Sequence, residues 1–254
     1  MTYWLYSTGK MNSVPFIALT VDQKAQISRL EGGTFVRKPS EDHNVHKGAI
    51  FPQQNCAVTV AGNYNVPVDA LQYFTAFLGN ISSAQLVDGA VHEVNGLMMM
   101  LEKKGEPVSD FHSKLGFGLF QPNGDGGREP RLFFATIPGR QGPTVKFGPS
   151  AKPYYHGGVD HVPVHTSALI RNYNTEAPLE AALAASVADM EEAAADYPNS
   201  ISNEFETFLL RANRMPARVE LEQENGIVKI KSETPIEHPL VFDDTQSEPL
   251  FGDN

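Results

Sequence analysis

The sequence has a single cysteine, Cys56, so its 254 residues cannot form an internal disulfide. Basic residues are also few: 20 Lys and Arg stand against 30 Asp and Glu, a formal net charge of -10. Phosphate backbones are bound by clustered positive charge, so nucleic acid and anionic membranes are not expected partners. Long apolar runs are absent as well. The run 97–101 is far shorter than the about 20 residues of a transmembrane helix.

The first residues show no basic start followed by an apolar run, and therefore no signal peptide is expected. The lone cysteine is typical of a protein in a reducing compartment. Together these features predict a cytoplasmic protein.

Apolar periodicity and turn residues divide the chain into blocks of strands and blocks of helices. Predicted strands cover 14–21, 25–30, 56–61, 115–120, 131–137, 144–147, 217–222 and 227–231. Predicted helices begin near Pro67 and cover 82–105, 166–171, 176–195 and 201–212. Strands that follow one another, separated by Gly- and Pro-rich turns, favour antiparallel pairing.

The order of these blocks differs from the strict alternation of a doubly wound sheet. It predicts an α+β fold, a four-layer αββα sandwich of two antiparallel sheets flanked by helices. One domain is predicted over residues 1–232. Residues 233–254 contain Pro235, Pro239 and Pro249, several acids and neither Lys nor Arg, which indicates an appended C-terminal tail.

Several short strings occur in an order found in a known family. Residues 45–51 (VHKGAIF) precede a strand and an Ala-Gly turn at 56–62, the strand pair 115–137 follows, and His156-Gly157-Gly158 comes after it. Over residues 13–231 this order resembles the proteasome β-subunit and HslV branch of the N-terminal-nucleophile (Ntn) hydrolases. The resemblance implies the same sandwich, with subunits that self-associate through their helix layers, and it implies no cofactor.

The resemblance also implies a chemistry in which a free N-terminal Thr, Ser or Cys is the nucleophile and its own α-amine is the base. Lys47 corresponds to the activating lysine, and Ser13 lies near the position of the nucleophile. The family's orienting Asp is replaced here by Ser28-Arg29, and its Gly-Ser-Gly serine is missing at Gly157-Gly158. Asn12 also replaces the Gly that commonly precedes the self-cleaved bond.

Two hypotheses follow from this partial match. The first is an atypical or catalytically degenerate Ntn-fold protein that self-assembles into a homo-oligomer. The second is an active amide hydrolase, a peptidase or amidase, that uses Ser13 and Lys47. Lys47 also has a structural interpretation, since a charged residue at a strand edge prevents unwanted strand pairing.

A third hypothesis rests on three histidines. His156, His161 and His165 are spaced by five and four residues, with Asp160 among them. Imidazoles and a carboxylate are ligands for Zn²⁺ or another divalent metal, so the 156–165 loop is a candidate binding site for a metal or a small molecule. The alternative is a loop whose imidazoles hydrogen-bond locally or face water.

Overall fold

The computed structural model describes residues 3–25, 28–31, 34–38, 43–44, 47–62, 112–138, 146–173, 175–224 and 227–240, and the single positions 92, 96, 99 and 103. The strands are β1 (Tyr3–Met11), β2 (Val14–Asp22), β3 (Lys24–Ala25), β4 (Ser28–Glu31), β5 (Thr34–Arg37), β6 (His43–Asn44), β7 (Gly48–Phe51), β8 (Cys56–Gly62), β9 (His112–Pro122), β10 (Arg128–Pro138), β11 (Lys146–Pro149), β12 (Tyr154–Gly158), β13 (Phe205–Arg211), β14 (Arg214–Glu224) and β15 (Ile227–Pro235). The helices whose full length is described are α1 (Val164–Leu169) and α2 (Leu179–Asp196).

The larger sheet has six strands in the order β12-β1-β2-β13-β14-β15, and every neighbouring pair is antiparallel. Strands β1 and β2 form a hairpin around Asn12 and Ser13, whose φ angles are 50° and 63°. Two consecutive positive φ angles are the signature of the tight turn that matches the twist of a hairpin. The hairpin register places Trp4 opposite Val21, so the start of β1 lies beside the end of β2.

The second sheet has five antiparallel strands in the order β11-β10-β9-β8-β7. The two sheets pack face to face through a shared apolar core of buried side chains. Members from the six-stranded sheet include Trp4, Tyr6, Ile17, Leu19, Phe208 and Leu210, and members from the five-stranded sheet include Ile50, Ala57, Phe120 and Leu132. Burial of this apolar surface is the main force that holds the sheets together.

Helix α2 covers the other face of the six-stranded sheet. Its residues Leu179, Ala182 and Leu183 pack with Phe16 and Leu209. Farther along the helix, Met190, Ala193 and Ala194 pack with Tyr3, Leu5 and Ile201. Among the described helical segments, none has both the length and the apolar character needed to cross a membrane.

The predicted fold class of two antiparallel sheets flanked by helices is confirmed. The described residues supply both sheets and the helix layer on one side. The apolar stripe of the helix predicted over 82–105, like the helix predicted from Pro67, lies outside the described residues. Positions 92, 96, 99 and 103 are helical and exposed, and their spacing of three and four residues is that of one helix face.

The helix predicted over 201–212 is wrong, because this segment contains strand β13. The strand lies between β2 and β14, and both of its faces are covered: Phe208 and Leu210 enter the core between the sheets, while Leu209 faces α2. A strand buried on both faces has a nearly continuous apolar sequence, which periodicity alone does not distinguish from a buried helix.

The first residues of the predicted tail are attached to the domain. Strand β15 crosses residue 232 and continues to Pro235. The buried guanidinium of Arg211 donates two hydrogen bonds to Glu233, 2.7 and 2.6 Å long, which lower the pKa of that carboxyl. Leu240 and Ile50 exchange backbone hydrogen bonds at the edge of the five-stranded sheet. Residues 241–254 lie outside the described residues, and the division at 232 stays a prediction.

Candidate functional site

A buried ion pair joins the two sheets. Lys47 immediately precedes β7 of the five-stranded sheet, and Asp22 is the last residue of β2 in the six-stranded sheet. The Lys47 Nζ lies 2.8 Å from the Asp22 Oδ2, with the two side chains 2% and 0% exposed. The cost of removing two charges from water can exceed their mutual attraction even in a well-formed pair, so this pair calls for an explanation beyond stability.

Asp22 also holds the start of β1. Its Oδ1 accepts a 2.7 Å hydrogen bond from the backbone N–H of Tyr3, and its Oδ2 accepts a second backbone bond from Lys24. One carboxylate therefore contacts both the Lys47 ammonium and the peptide nitrogen that joins residue 2 to residue 3. Residue 2 is a threonine.

The environment of Lys47 sets its proton affinity. Complete burial lowers the pKa of this lysine because the charged form is deprived of water. The charge of Asp22 and its hydrogen bond oppose that effect and favour the ammonium form. The Lys24 carbonyl accepts a further hydrogen bond from Nζ, so the ammonium is held in one orientation.

Ser13, the predicted nucleophile, lies far from this pair. It is an exposed residue in the turn between β1 and β2. Strand β2 has nine residues and separates Ser13 from Asp22, which corresponds to about 30 Å of extended chain. The structure thus brings Lys47 together with Asp22 and the start of β1, and it does not bring Lys47 together with Ser13.

From the sequence, the family's orienting Asp was interpreted as lost and replaced by Ser28-Arg29. The structure instead has a carboxylate beside Lys47, that of Asp22, while Ser28 and Arg29 belong to β4, which pairs with β5 within the described residues. Asp22 could have been identified from the sequence if the hairpin of β1 and β2 had been predicted. Had β1 been recognised as the partner of β2 around Asn12-Ser13, residues 2 and 3 would have been placed beside Asp22.

The predicted turn at His156-Gly157-Gly158 is instead part of strand β12, which pairs with β1. Gly157 lies opposite Trp4, and a Cβ atom at Gly157 would be 2.2 Å from the Trp4 Cζ2. The missing Cβ makes room for the indole, so Gly157 is explained by packing, while Gly158 has a φ of 107°, a conformation that favours glycine.

The three predicted metal ligands lie in different settings. His156 is half-buried in β12, and this burial is the main cause of its lowered pKa. His161 is buried in the β12–α1 loop, and its Nδ1 lies 3.3 Å from the Asp196 Oδ2. His165 is exposed in α1 and its Nε2 lies 2.9 Å from the Glu192 Oε1, a hydrogen bond that raises its pKa.

Within the described residues, the group of potential ligand atoms that lie within 4.8 Å of one another consists of His161, Asp189 and Glu192. It contains one of the three predicted histidines. The two carboxylates belong to α2, and neither was among the ligands predicted from the sequence.

Comparison with known proteins gives structural neighbours only. No protein-family model and no curated protein matches the sequence. Anbu (ancestral beta-subunit) from Yersinia bercovieri superposes with a TM-score of 0.56 at 16% identity, covering 85% of this chain and 86% of that chain. The Anbu (Gly-1) mutant from Hyphomicrobium sp. strain MC1 gives a TM-score of 0.56 at 11% identity, covering 93% and 87%.

These neighbours correct the resemblance stated above. The assignment to the proteasome β-subunit and HslV branch is wrong, since the similar structures are Anbu proteins. The chain shares with these structures the fold of two antiparallel sheets packed face to face. At 11–16% identity the likeness concerns the fold alone.

Proposed function

We propose that this protein is an amide hydrolase whose nucleophile is the hydroxyl of Thr2. The observation that carries the proposal is the position of Asp22, which contacts both the Lys47 ammonium and the Tyr3 nitrogen. Thr2 is the residue on the other side of that nitrogen, and it has the hydroxyl that Ntn chemistry needs. Thr2 lies outside the described residues, so its role rests on the sequence and on these contacts of Tyr3 and Asp22.

The proposed reaction requires cleavage of the bond between Met1 and Thr2, which frees the α-amine of Thr2. The neutral amine then accepts the hydroxyl proton, directly or through one water, while the oxygen attacks the substrate carbonyl. Collapse of the tetrahedral intermediate breaks the amide bond, and the ammonium gives its proton to the leaving amine. Water hydrolyses the resulting ester and regenerates Thr2.

Lys47 and Asp22 have separate parts in this scheme. The Lys47 ammonium is a fixed positive charge that stabilises the developing alkoxide, and a charge in a site without water acts more strongly than in solution. Asp22 is a positioning residue: it orients the ammonium and anchors the first strand. The two contacts explain why a costly buried ion pair is present here.

Replacing Thr2 by alanine tests the proposal. We expect mature chains that begin at Thr2 to hydrolyse members of a panel of short peptide amides, and we expect Thr2→Ala to reduce turnover to background. Thr2→Ser keeps a hydroxyl and is expected to retain activity. Intact mass and N-terminal sequencing establish in each case whether Met1 has been removed.

Ser13→Ala is the matched control, because it removes a hydroxyl from an exposed turn and should leave turnover unchanged. Activity that survives Thr2→Ala, or that is abolished by Ser13→Ala, contradicts the proposal. A folded chain that begins at Thr2 and is inactive on the whole panel would instead match the catalytically degenerate protein of the first hypothesis.

We also propose that the chain self-associates in the cytoplasm. One structural neighbour, Anbu from Yersinia bercovieri, is described as an ancestral beta-subunit, and the lone buried cysteine is compatible with a reducing compartment. Sedimentation velocity is expected to give a mass that is a multiple of 27.8 kDa. A monomer mass at all concentrations up to 100-fold above the working concentration would contradict this proposal.

A further inference from the structure

A cluster of ligand-type side chains lies outside the candidate active site, on the helix-covered side of the six-stranded sheet. Asp189 and Glu192 lie three residues apart on α2, a spacing that places both on one helix face. His161 comes from the β12–α1 loop and packs against this face. One ligand atom from each residue lies within 4.8 Å of the other two.

His161 provides the observation that points to a ligand. It is 9% exposed, and its Nε2 has no hydrogen-bond partner among the residues that the structure describes. Its Nδ1 lies 3.3 Å from the Asp196 carboxylate, which favours the tautomer with the proton on Nδ1. The buried Nε2 then keeps a lone pair that no donor among the described residues occupies, and one nitrogen of this ring lies within 4.8 Å of carboxylate oxygens of Asp189 and Glu192.

This arrangement is that of a metal-binding histidine, in which a second carboxylate orients the ring through the nitrogen that does not bind the metal. The ring is also fixed from the other side, because Tyr3 packs edge-on against it with the ring centroids 5.6 Å apart. His161 is therefore already oriented without a ligand, which lowers the cost of binding one.

The carboxylates retain the capacity to bind a cation. Asp189 is fully buried and accepts the backbone N–H groups of His165 and Thr166, one on each oxygen. A carboxylate has about four lone-pair positions, so each oxygen keeps a second one. Among the described ion pairs, Glu192 and Asp196 are paired with histidines and not with Lys or Arg.

We infer that His161, Asp189 and Glu192 form a binding site for a divalent transition-metal cation, with Zn²⁺ as its representative. One imidazole nitrogen and two carboxylate oxygens are a mixed donor set that suits Zn²⁺ better than Mg²⁺, which prefers oxygen ligands. Three protein ligands leave the fourth tetrahedral position for water. This site differs from the predicted set of His156, His161 and His165, of which it keeps one residue.

Two measurements on the untagged full chain test the inference. Calorimetry gives the stoichiometry and affinity of Zn²⁺ binding, and the unfolding temperature is measured with and without Zn²⁺. We expect one Zn²⁺ per chain, a higher Tm at saturation, and much weaker binding of Mg²⁺. Glu192→Gln is expected to weaken Zn²⁺ binding by tenfold or more. Its matched control is Glu191→Gln, the adjacent exposed acid of the same helix, which should bind Zn²⁺ as the unaltered chain does.

His156→Gln separates this site from the histidine set predicted from the sequence, and it is expected to leave Zn²⁺ affinity unchanged. The inference is overturned if the chain takes up no stoichiometric Zn²⁺, if Glu191→Gln and Glu192→Gln weaken binding equally, or if His156→Gln abolishes it. Because Glu192 is half-exposed at the helix surface, its substitution leaves the apolar core intact.

Discussion

Lys47→Met is expected to lower the kcat/KM of the proposed amide hydrolysis by about 10³-fold, because it removes the buried positive charge to which the proposal assigns stabilisation of the alkoxide. Methionine has a similar length and no charge, so the cavity left behind is small. The measurement is turnover of the best substrate from the peptide-amide panel. An effect of tenfold or less would show that Lys47 is a structural residue and not part of the chemistry.

The same substitution leaves Asp22 buried without its ionic partner, which destabilises a protein by about 3–5 kcal/mol. Asp22→Asn introduced into Lys47→Met removes the orphaned charge. The double variant is therefore expected to recover much of the lost stability and none of the lost activity. Parallel loss and recovery of stability and turnover would mean that Lys47 acts only through the fold.

The pH profile of the proposed activity in the unaltered chain gives a second measurement of Lys47. Turnover should rise with pH as the α-amine of Thr2 loses its proton. The pKa of a free α-amine is about 7.7–8.0. Turnover should fall again when the Lys47 ammonium is deprotonated. Since burial lowers the pKa of Lys47, this fall should occur below the ordinary lysine range. Thr2→Ser should keep both limbs of the profile.

Elements with local signals were predicted well from the sequence. The antiparallel strands β9, β10 and β11 are separated by turns rich in Gly and Pro, and helix α2 carries an apolar stripe on one face. The strands predicted over 217–222 and 227–231 were also found, as the hairpin of β14 and β15. In each case a turn or a period within one segment determines the structure.

The candidate site could be predicted only in part, because it is assembled by pairing between distant segments. Lys47 was found from its local string. Asp22 was not, since its partner is 25 residues away and belongs to the other sheet. Strand β1 was overlooked, and without it the start of the chain had no place beside Asp22. Because the hairpin of β1 and β2 was not predicted, the nucleophile was assigned to Ser13, which lies at the opposite end of β2 from Asp22.

The role of glycines within strands is the second feature that could not be predicted from the sequence. Gly116 and Gly157 lie in β9 and β12, where glycine ordinarily weakens a strand. Both face Trp4, which is completely buried: a Cβ at Gly116 would be 2.6 Å from its Cη2, and a Cβ at Gly157 would be 2.2 Å from its Cζ2. The indole lies against backbone from its own sheet and from the facing sheet, a contact that no sequence period reveals.

Gly157→Ala is therefore expected to destabilise the domain by about 3 kcal/mol, the upper range for inserting a methyl group into a well-packed core. In a chain of this size each kcal/mol lowers Tm by about 2–4 °C, so the expected loss is about 6–12 °C. The obstacle is the rigid Trp4 ring, which is enclosed on both sides and cannot rotate away. Thermal and urea unfolding measure the change.

Two further variants show whether this clash is the cause. Gly124→Ala is the matched control: Gly124 lies in the exposed β9–β10 turn and a Cβ there meets no atom within 4 Å, so a change within about 0.5 kcal/mol is expected. Trp4→Phe replaces the indole by a smaller ring and should make Gly157→Ala less costly than it is beside Trp4, a positive coupling that only residues in contact display. Strictly additive effects of Trp4→Phe and Gly157→Ala would show that Gly157 is needed for its backbone and not for the space it leaves.

Because Trp4 follows directly on Tyr3, whose N–H is bound by Asp22, a displaced indole would also disturb the start of β1. Gly157→Ala should then lower turnover as well as stability, whereas Gly124→Ala should change neither.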